Sequence, residues 1–149
     1  MKQRITMYTD GGARGNPGPA GVGVVIIDEH GKTLKKVSKF LGKQTNNWAE
    51  YEAVILGLQA LKTLIKKENR KKLFVEVKLD SELVARQMSG MYQIKEETLF
   101  PQFIKIHNVR ITDFPNIVFT HIPREENKDA DRLANEAMDD HSQSLFGLL

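Results

Sequence analysis

Arg4-Ile5-Thr6-Met7-Tyr8-Thr9-Asp10, then Gly11-Gly12-Ala13-Arg14-Gly15-Asn16-Pro17-Gly18-Pro19, then Gly21-Val22-Gly23-Val24-Val25-Ile26-Ile27-Asp28 form the stretch that decides the fold. The first segment reads as a strand that closes on a carboxylate. The second holds four glycines and two prolines in nine residues, which predicts a tightly turned loop. The third is a nearly unbroken apolar run rich in β-branched residues, the pattern of a central strand. Glu29-His30-Gly31-Lys32 supplies a short hairpin turn, and residues 33–41 alternate well enough for a third strand. Lys35, Lys36 and Lys39 suit an exposed sheet edge, where charge discourages pairing with other chains. Three consecutive antiparallel strands therefore open the domain.

Beyond them the period changes from two to nearly four. Thr45-Asn46-Asn47 offers helix-capping side chains, and apolar spacing continues to about Lys66. Glu50, Val54, Gly57, Leu61 and Ile65 fall on one helical face, and four of the five suit a core. Glu50 does not. Residues 73–79 read as a strand ending at Asp80-Ser81, residues 82–88 as a short helix, and residues 89–97 as a turn-rich link. A helix over 99–109 tolerates Pro101 near its start. Residues 116–121 give a fifth strand and residues 127–138 a last helix. This order predicts a layered α/β domain with a mixed sheet, spanning 1–140, with 141–149 as an appended tail.

Composition narrows the class. A chain of 149 residues with 40% hydrophobic and 28% charged content is long enough to bury about 70% of its unfolded surface in one domain. No apolar run is long enough to cross a bilayer, and residues 1–5 lead toward a strand, so no membrane partner and a cytoplasmic location are the expectations. Cysteine is absent, which excludes disulfides and thiolate metal sites. The net charge of +3 permits a polyanionic partner without demanding one.

Four carboxylates stand where structure gives no reason for them: Asp10 and Asp80 at strand ends, Glu50 on a buried stripe, and Asp131 near the start of the last helix. Like charges converging in a partly dry cleft are costly, and divalent cations are the usual remedy. A metal-dependent nuclease is the reading.

Thr9-Asp10-Gly11-Gly12, Gly15-Asn16-Pro17-Gly18-Pro19, Thr45-Asn46-Asn47-Trp48-Ala49-Glu50, Leu79-Asp80-Ser81, and His121 with Asp131 ten residues on, together resemble type 1 ribonuclease H. Each motif alone is weak; the ordered set is specific and covers nearly the whole chain. The resemblance implies a five-stranded mixed sheet of order 3-2-1-4-5 and hydrolysis of the RNA strand of RNA–DNA hybrids, leaving 5′-phosphate and 3′-hydroxyl ends. It implies that Asp10, Glu50, Asp80 and Asp131 hold two Mg²⁺ ions, with Mn²⁺ as a substitute. Such ions, about 3.5–4 Å apart, clamp the attacking and departing oxygens. It makes His121 a proton-transfer or product-release residue, and Asn16, Asn46 and Asn47 readers of the ribose 2′-hydroxyl. Lys43 and Thr45 resemble a pocket for a phosphate of the DNA strand.

The chain departs from the family in two places. Glu82 stands where a glutamine often follows the Asp-Ser pair, and the lysine-rich protrusion of larger members is missing; a separate hybrid-binding domain at the N-terminus is not expected. Lys62, Lys66, Lys67, Arg70, Lys71 and Lys72 form a cluster that is either a substitute grip or the ordinary cationic end of a helix. Trp48 reads as packing. The apolar end of Ser142–Leu149 is expected to dock on the domain itself, with a homodimer contact or a sliding-clamp peptide as alternatives, and a monomer is expected. Double-stranded RNA is a conceivable second substrate. The rival readings are another nuclease of the same fold, such as a junction resolvase, and a non-catalytic nucleic-acid-binding module.

Overall fold

The computed structural model describes residues 3–147, with side chains described through Ser142. β1 (Arg4–Ala13), β2 (Gly18–Ile27) and β3 (Thr33–Gln44) form an antiparallel meander, followed by α1 (Asn46–Leu64), β4 (Phe74–Leu79), α2 (Glu82–Met88), α3 (Phe100–Thr112), β5 (Ile117–His121) and α4 (Lys128–Gly147). Short 3₁₀ segments occupy Lys67–Lys72, Glu97–Leu99 and Arg124–Glu126. The sheet order is β3-β2-β1-β4-β5, with β4 and β5 parallel to β1. This is the expected mixed sheet.

β2 is buried from Ala20 to Ile26 because helices cover both its faces. Gly57 of α1 sits against Met7 and Val24 on one side, and α4 meets Gly21 and Gly23 on the other. The core between the sheet and α1 gathers Ile5, Met7, Val24, Tyr51, Leu58, Leu61, Val77 and Leu79, all nearly sealed from solvent. Burial of such side chains, about 1.5–3 kcal/mol each, is what holds α1 on the sheet. Trp48 packs against this core, as its place at the helix entry suggested.

The glycine-rich segment is less of a loop than its composition predicts. Gly11 and Gly12 remain in the ladder opposite Val22 and Gly21, and only residues 14–17 turn. Gly11 allows close approach of another element instead of a change of chain direction. The segment before α4 is closely packed. Ile122 and Asn127 are buried, and Arg124–Glu126 is a 3₁₀ turn.

The basic cluster is partly structural. The Arg70 guanidinium donates to the carbonyls of Ile65 and Lys62 at the end of α1, at 3.1 and 2.8 Å, and to buried Asp113 at 2.9 Å. Lys62 also faces Asp113, at 3.6 Å. Lys66, Lys67, Lys71 and Lys72 stay exposed.

α4 continues through Gly147, so residue 140 is not the end of an element and residues 141–147 are helix, not a separate tail. At its far end His141 stacks on Phe40 of β3, centroids 3.8 Å apart. The side chains from Gln143 onward, on which the self-docking, dimer and sliding-clamp expectations rest, lie outside the described residues.

Candidate active site

Parallel pairing of β1 with β4 sets Thr9 opposite Leu79, so the next residues, Asp10 and Asp80, emerge together at one end of the sheet. Glu50 arrives from α1. A Cβ on Gly11 would collide with the Ala49 carbonyl, so only glycine lets the helix come this near the strand. One oxygen each from Asp10, Glu50 and Asp80 lies within 4.8 Å of the others. α4 crosses β2 equally closely, because a Cβ on Gly23 would run into the Ala130 carbonyl. That approach brings Asp131 to the same cavity of about 330 Å³, lined also by Gly12, Arg14, Asn46, Arg124 and Asn135.

The electrostatics are those of a site incomplete by itself. Burial, the Asp80 charge and a hydrogen bond with Asp131 push the Asp10 carboxyl up to about 8. Burial, then Asp10 and Asp80, holds Glu50 well above the usual carboxylate range, and burial raises Asp80 too. Glu50 Oε2 and Asp80 Oδ2 are buried without a hydrogen-bond partner. Buried polar atoms are nearly always satisfied, so such orphans call for an explanation. Converging hard oxygen donors with unused lone pairs fit a divalent cation such as Mg²⁺. Among the described residues this is the one acidic cluster with that geometry.

The sequence family described as reverse transcriptase-like matches residues 8–137. LC11-RNase H1, isolated from compost by a metagenomic approach, is 54% identical, with a TM-score of 0.87 over 93% of this chain and 97% of that one. The chain belongs to the type 1 ribonuclease H family. The same compost ribonuclease H1 has also been crystallised in complex with an RNA/DNA hybrid, where the TM-score is 0.88 at 52% identity over 92% of this chain and 98% of that one. Ribonuclease HI of Halobacterium salinarum is 36% identical over 137 residues, 92% of this chain and 65% of its own length. A bifunctional protein of Mycobacterium tuberculosis is 38% identical over 142 residues, 95% of this chain. The chain spans 37% of the length of that mycobacterial relative.

The other residues that the ribonuclease H resemblance singled out are dispersed around the cleft. Thr45, not Asn46 or Asn47, caps α1, its hydroxyl accepting from the Trp48 amide at 3.2 Å. Asn46 lines the cleft, and Asn16 is tied to it through the Asn46 backbone N–H at 3.0 Å. Asn47 donates to Glu96 Oε1 at 2.8 Å. Lys43 is exposed on β3 opposite Pro19. His121, opposite Leu79, is exposed and lines a separate cavity with Arg86, Ser89 and Met91. Glu82 opens α2 and pairs with Arg86 at 2.9 Å.

Two residues of the site escaped sequence reasoning. Arg124 lines the cleft, and its charge opposes the raised carboxyls of Asp10, Glu50 and Asp80. It is followed directly by Glu125 and Glu126, a local pattern with no sign of a role in the site. Asn127 is 1% exposed; instead of capping α4, its side-chain amide reaches back to the Thr9 carbonyl at 2.9 Å, and it helps hold down the Asp80 carboxyl that burial raises. An asparagine ahead of a helix carries no sequence signal that distinguishes these roles.

Proposed function

We propose that the chain is an endoribonuclease that hydrolyses the RNA strand of RNA–DNA hybrids, leaving 5′-phosphate and 3′-hydroxyl ends. The observation that carries this reading is the convergence of Asp10, Glu50 and Asp80, with orphaned oxygens, beside Asn46 at the mouth of one cleft. The hybrid seen bound to the compost ribonuclease H1 supports the same substrate class. Asp10, Glu50, Asp80 and Asp131 would hold two Mg²⁺ ions, or Mn²⁺, which when bound supply charge to activate water and offset the departing oxygen.

The protein's own groups do the rest. Arg124, a cleft-lining cation whose charge acts on Asp10, Glu50 and Asp80, draws in the scissile phosphate, for which a planar guanidinium is well shaped. Asn127 ties the turn before α4 to β1 and so keeps Asp80 and Asp131 in register. His121, on the solvent side of the next cavity, takes a proton as product leaves. Asn16, Asn46 and Asn47 test for a 2′-hydroxyl, which both donates and accepts. That recognition extends in principle to double-stranded RNA.

An end-labelled RNA–DNA hybrid incubated beside all-DNA and all-RNA duplexes tests the reading. Cleavage of the RNA strand of the hybrid, lost in EDTA and in Asp10→Asn, is the expected result. An uncut hybrid in Mg²⁺ and in Mn²⁺ overturns it.

A further inference from the structure

Asn16, Asn46 and Asn47 look interchangeable in the sequence, but their hydrogen bonds make them unlike. Asn46 Oδ1 accepts from the Ala13 N–H at 2.8 Å, and Asn16 Oδ1 accepts from the Asn46 N–H. Both amides thereby turn an NH₂ away from the backbone, and Asn46 does so at the cleft. Asn47 is the reverse case. Its Nδ2 donates to the Glu96 carboxylate, which has no proton to give back. That pairing permits one amide orientation only, and it leaves Oδ1 as the end available to a ligand.

Glu96 is exposed, but its backbone is held in place. Its carbonyl accepts from the N–H of fully buried Leu99 at 3.0 Å. The segment before it is anchored through Gln93, whose carbonyl accepts from buried Gln87 at 3.4 Å, and Gln87 accepts from the Tyr51 hydroxyl at 2.7 Å. Burial, with the Glu96 charge, raises Tyr51 further above its ordinary value, so the phenol keeps the proton it donates.

We propose that Glu96 is a positioning residue that locks Asn47 as a hydrogen-bond acceptor, so that the enzyme demands the hydroxyl hydrogen of one ribose in the bound RNA strand. The inference rests on the hybrid-cleaving reading above. With Asn46 as a donor and Asn47 as an acceptor, the two amides make complementary demands on the 2′-hydroxyls of the RNA strand. A deoxyribose satisfies neither amide, and a 2′-fluoro group, which accepts but cannot donate, satisfies only the donor.

The test uses the full chain and hybrids carrying a single 2′-fluoro ribose, scanned along the RNA but away from the cleaved linkage. For the wild type, one position raises KM roughly tenfold with kcat little changed, the cost of leaving one acceptor unmet once the bound strand has covered it. In Glu96→Ala the Asn47 amide is free to rotate, so the fluoro penalty at that position falls to within about twofold while the all-ribose KM rises. Asn47→Asp placed in the Glu96→Ala background restores the penalty, because an aspartate accepts without needing an orienting partner. A penalty unchanged in Glu96→Ala, or a uniform loss at all positions, overturns the proposal. A wild type that leaves the all-ribose hybrid intact overturns the function reading instead.

Discussion

Replacing Asp10 by Asn is expected to make the metal-free protein more stable while removing its activity. In the folded chain the Asp10 carboxyl holds its proton up to about pH 8, against 3.8 for a free side chain. Because the folded state binds the proton more tightly, the Asp10 contribution to stability is full below about pH 4 and is lost as pH climbs toward about 8. At pH 7 the cost has a ceiling of (7 − 3.8) × 1.36, about 4 kcal/mol. Asp80 and Asp131 share the burden, and neutralising one acid relieves the others, so about half of that is expected to appear. A gain of ~2 kcal/mol in a domain of this size raises Tm by roughly 4–8 °C. Thermal melts in EDTA at pH 4.5, 6, 7 and 8 read the effect directly. The advantage of Asp10→Asn should be small at pH 4.5 and largest near pH 8. Mg²⁺ should reverse the order, because only the wild type retains the full set of ligands and gains RT ln(1 + [L]/Kd), about 2.7 kcal/mol at a hundredfold excess over Kd. A variant no more stable than wild type in EDTA at pH 7 would show that the carboxylates are not in mutual strain, and the argument for a cation site would fall.

The cleft-lining position of Arg124 predicts that Arg124→Ala lowers kcat/KM by roughly 10- to 100-fold, and more than His121→Ala does; steady-state kinetics giving the opposite order would refute the assignment. Asn127→Ala should cost about 1–3 kcal/mol in urea unfolding, because it strands the buried Thr9 carbonyl, and should lower cation affinity by calorimetry. Loss of neither would leave Asn127 as a bystander. Arg70→Ala should destabilise by roughly 1–3 kcal/mol, because buried Asp113 loses its 2.9 Å guanidinium partner and keeps only Lys62 at 3.6 Å, yet leave KM for hybrid unchanged. A raised KM with little destabilisation would instead make the basic cluster a substrate grip.

Much of the domain could be read from the chain alone. The apolar run 21–28 demanded a strand covered on both faces, the lysines of 33–41 an edge, and the interruption of an apolar stripe by Glu50 a charged group with a purpose. These are local signals of period and residue type, and they survive because the core face of each element is long and regular. The motif order then named the four acids. What the chain could not disclose was how near its elements come. Gly11 and Gly23 looked like loop and strand-interior punctuation; only the packed helices reveal that they are the points where α1 and α4 must almost touch the sheet.

Side-chain hydrogen bonding was equally hidden. Thr45, Asn46 and Asn47 were all plausible caps, and the choice of Thr45 depends on Ala13 and Glu96 claiming the other two amides from distant segments. Arg124 and Asn127 sit among ordinary loop residues; Arg124 reaches the cleft and Asn127 the Thr9 carbonyl because β5 runs beside β4 and returns the chain to that end of the sheet. Residue types and periodicity thus determined the strands, the helices and the identity of the acids. Tertiary approach alone decided which amide faces the cleft and which cation stands beside the carboxylates, because those contacts join residues far apart in the chain and are set by packing distance.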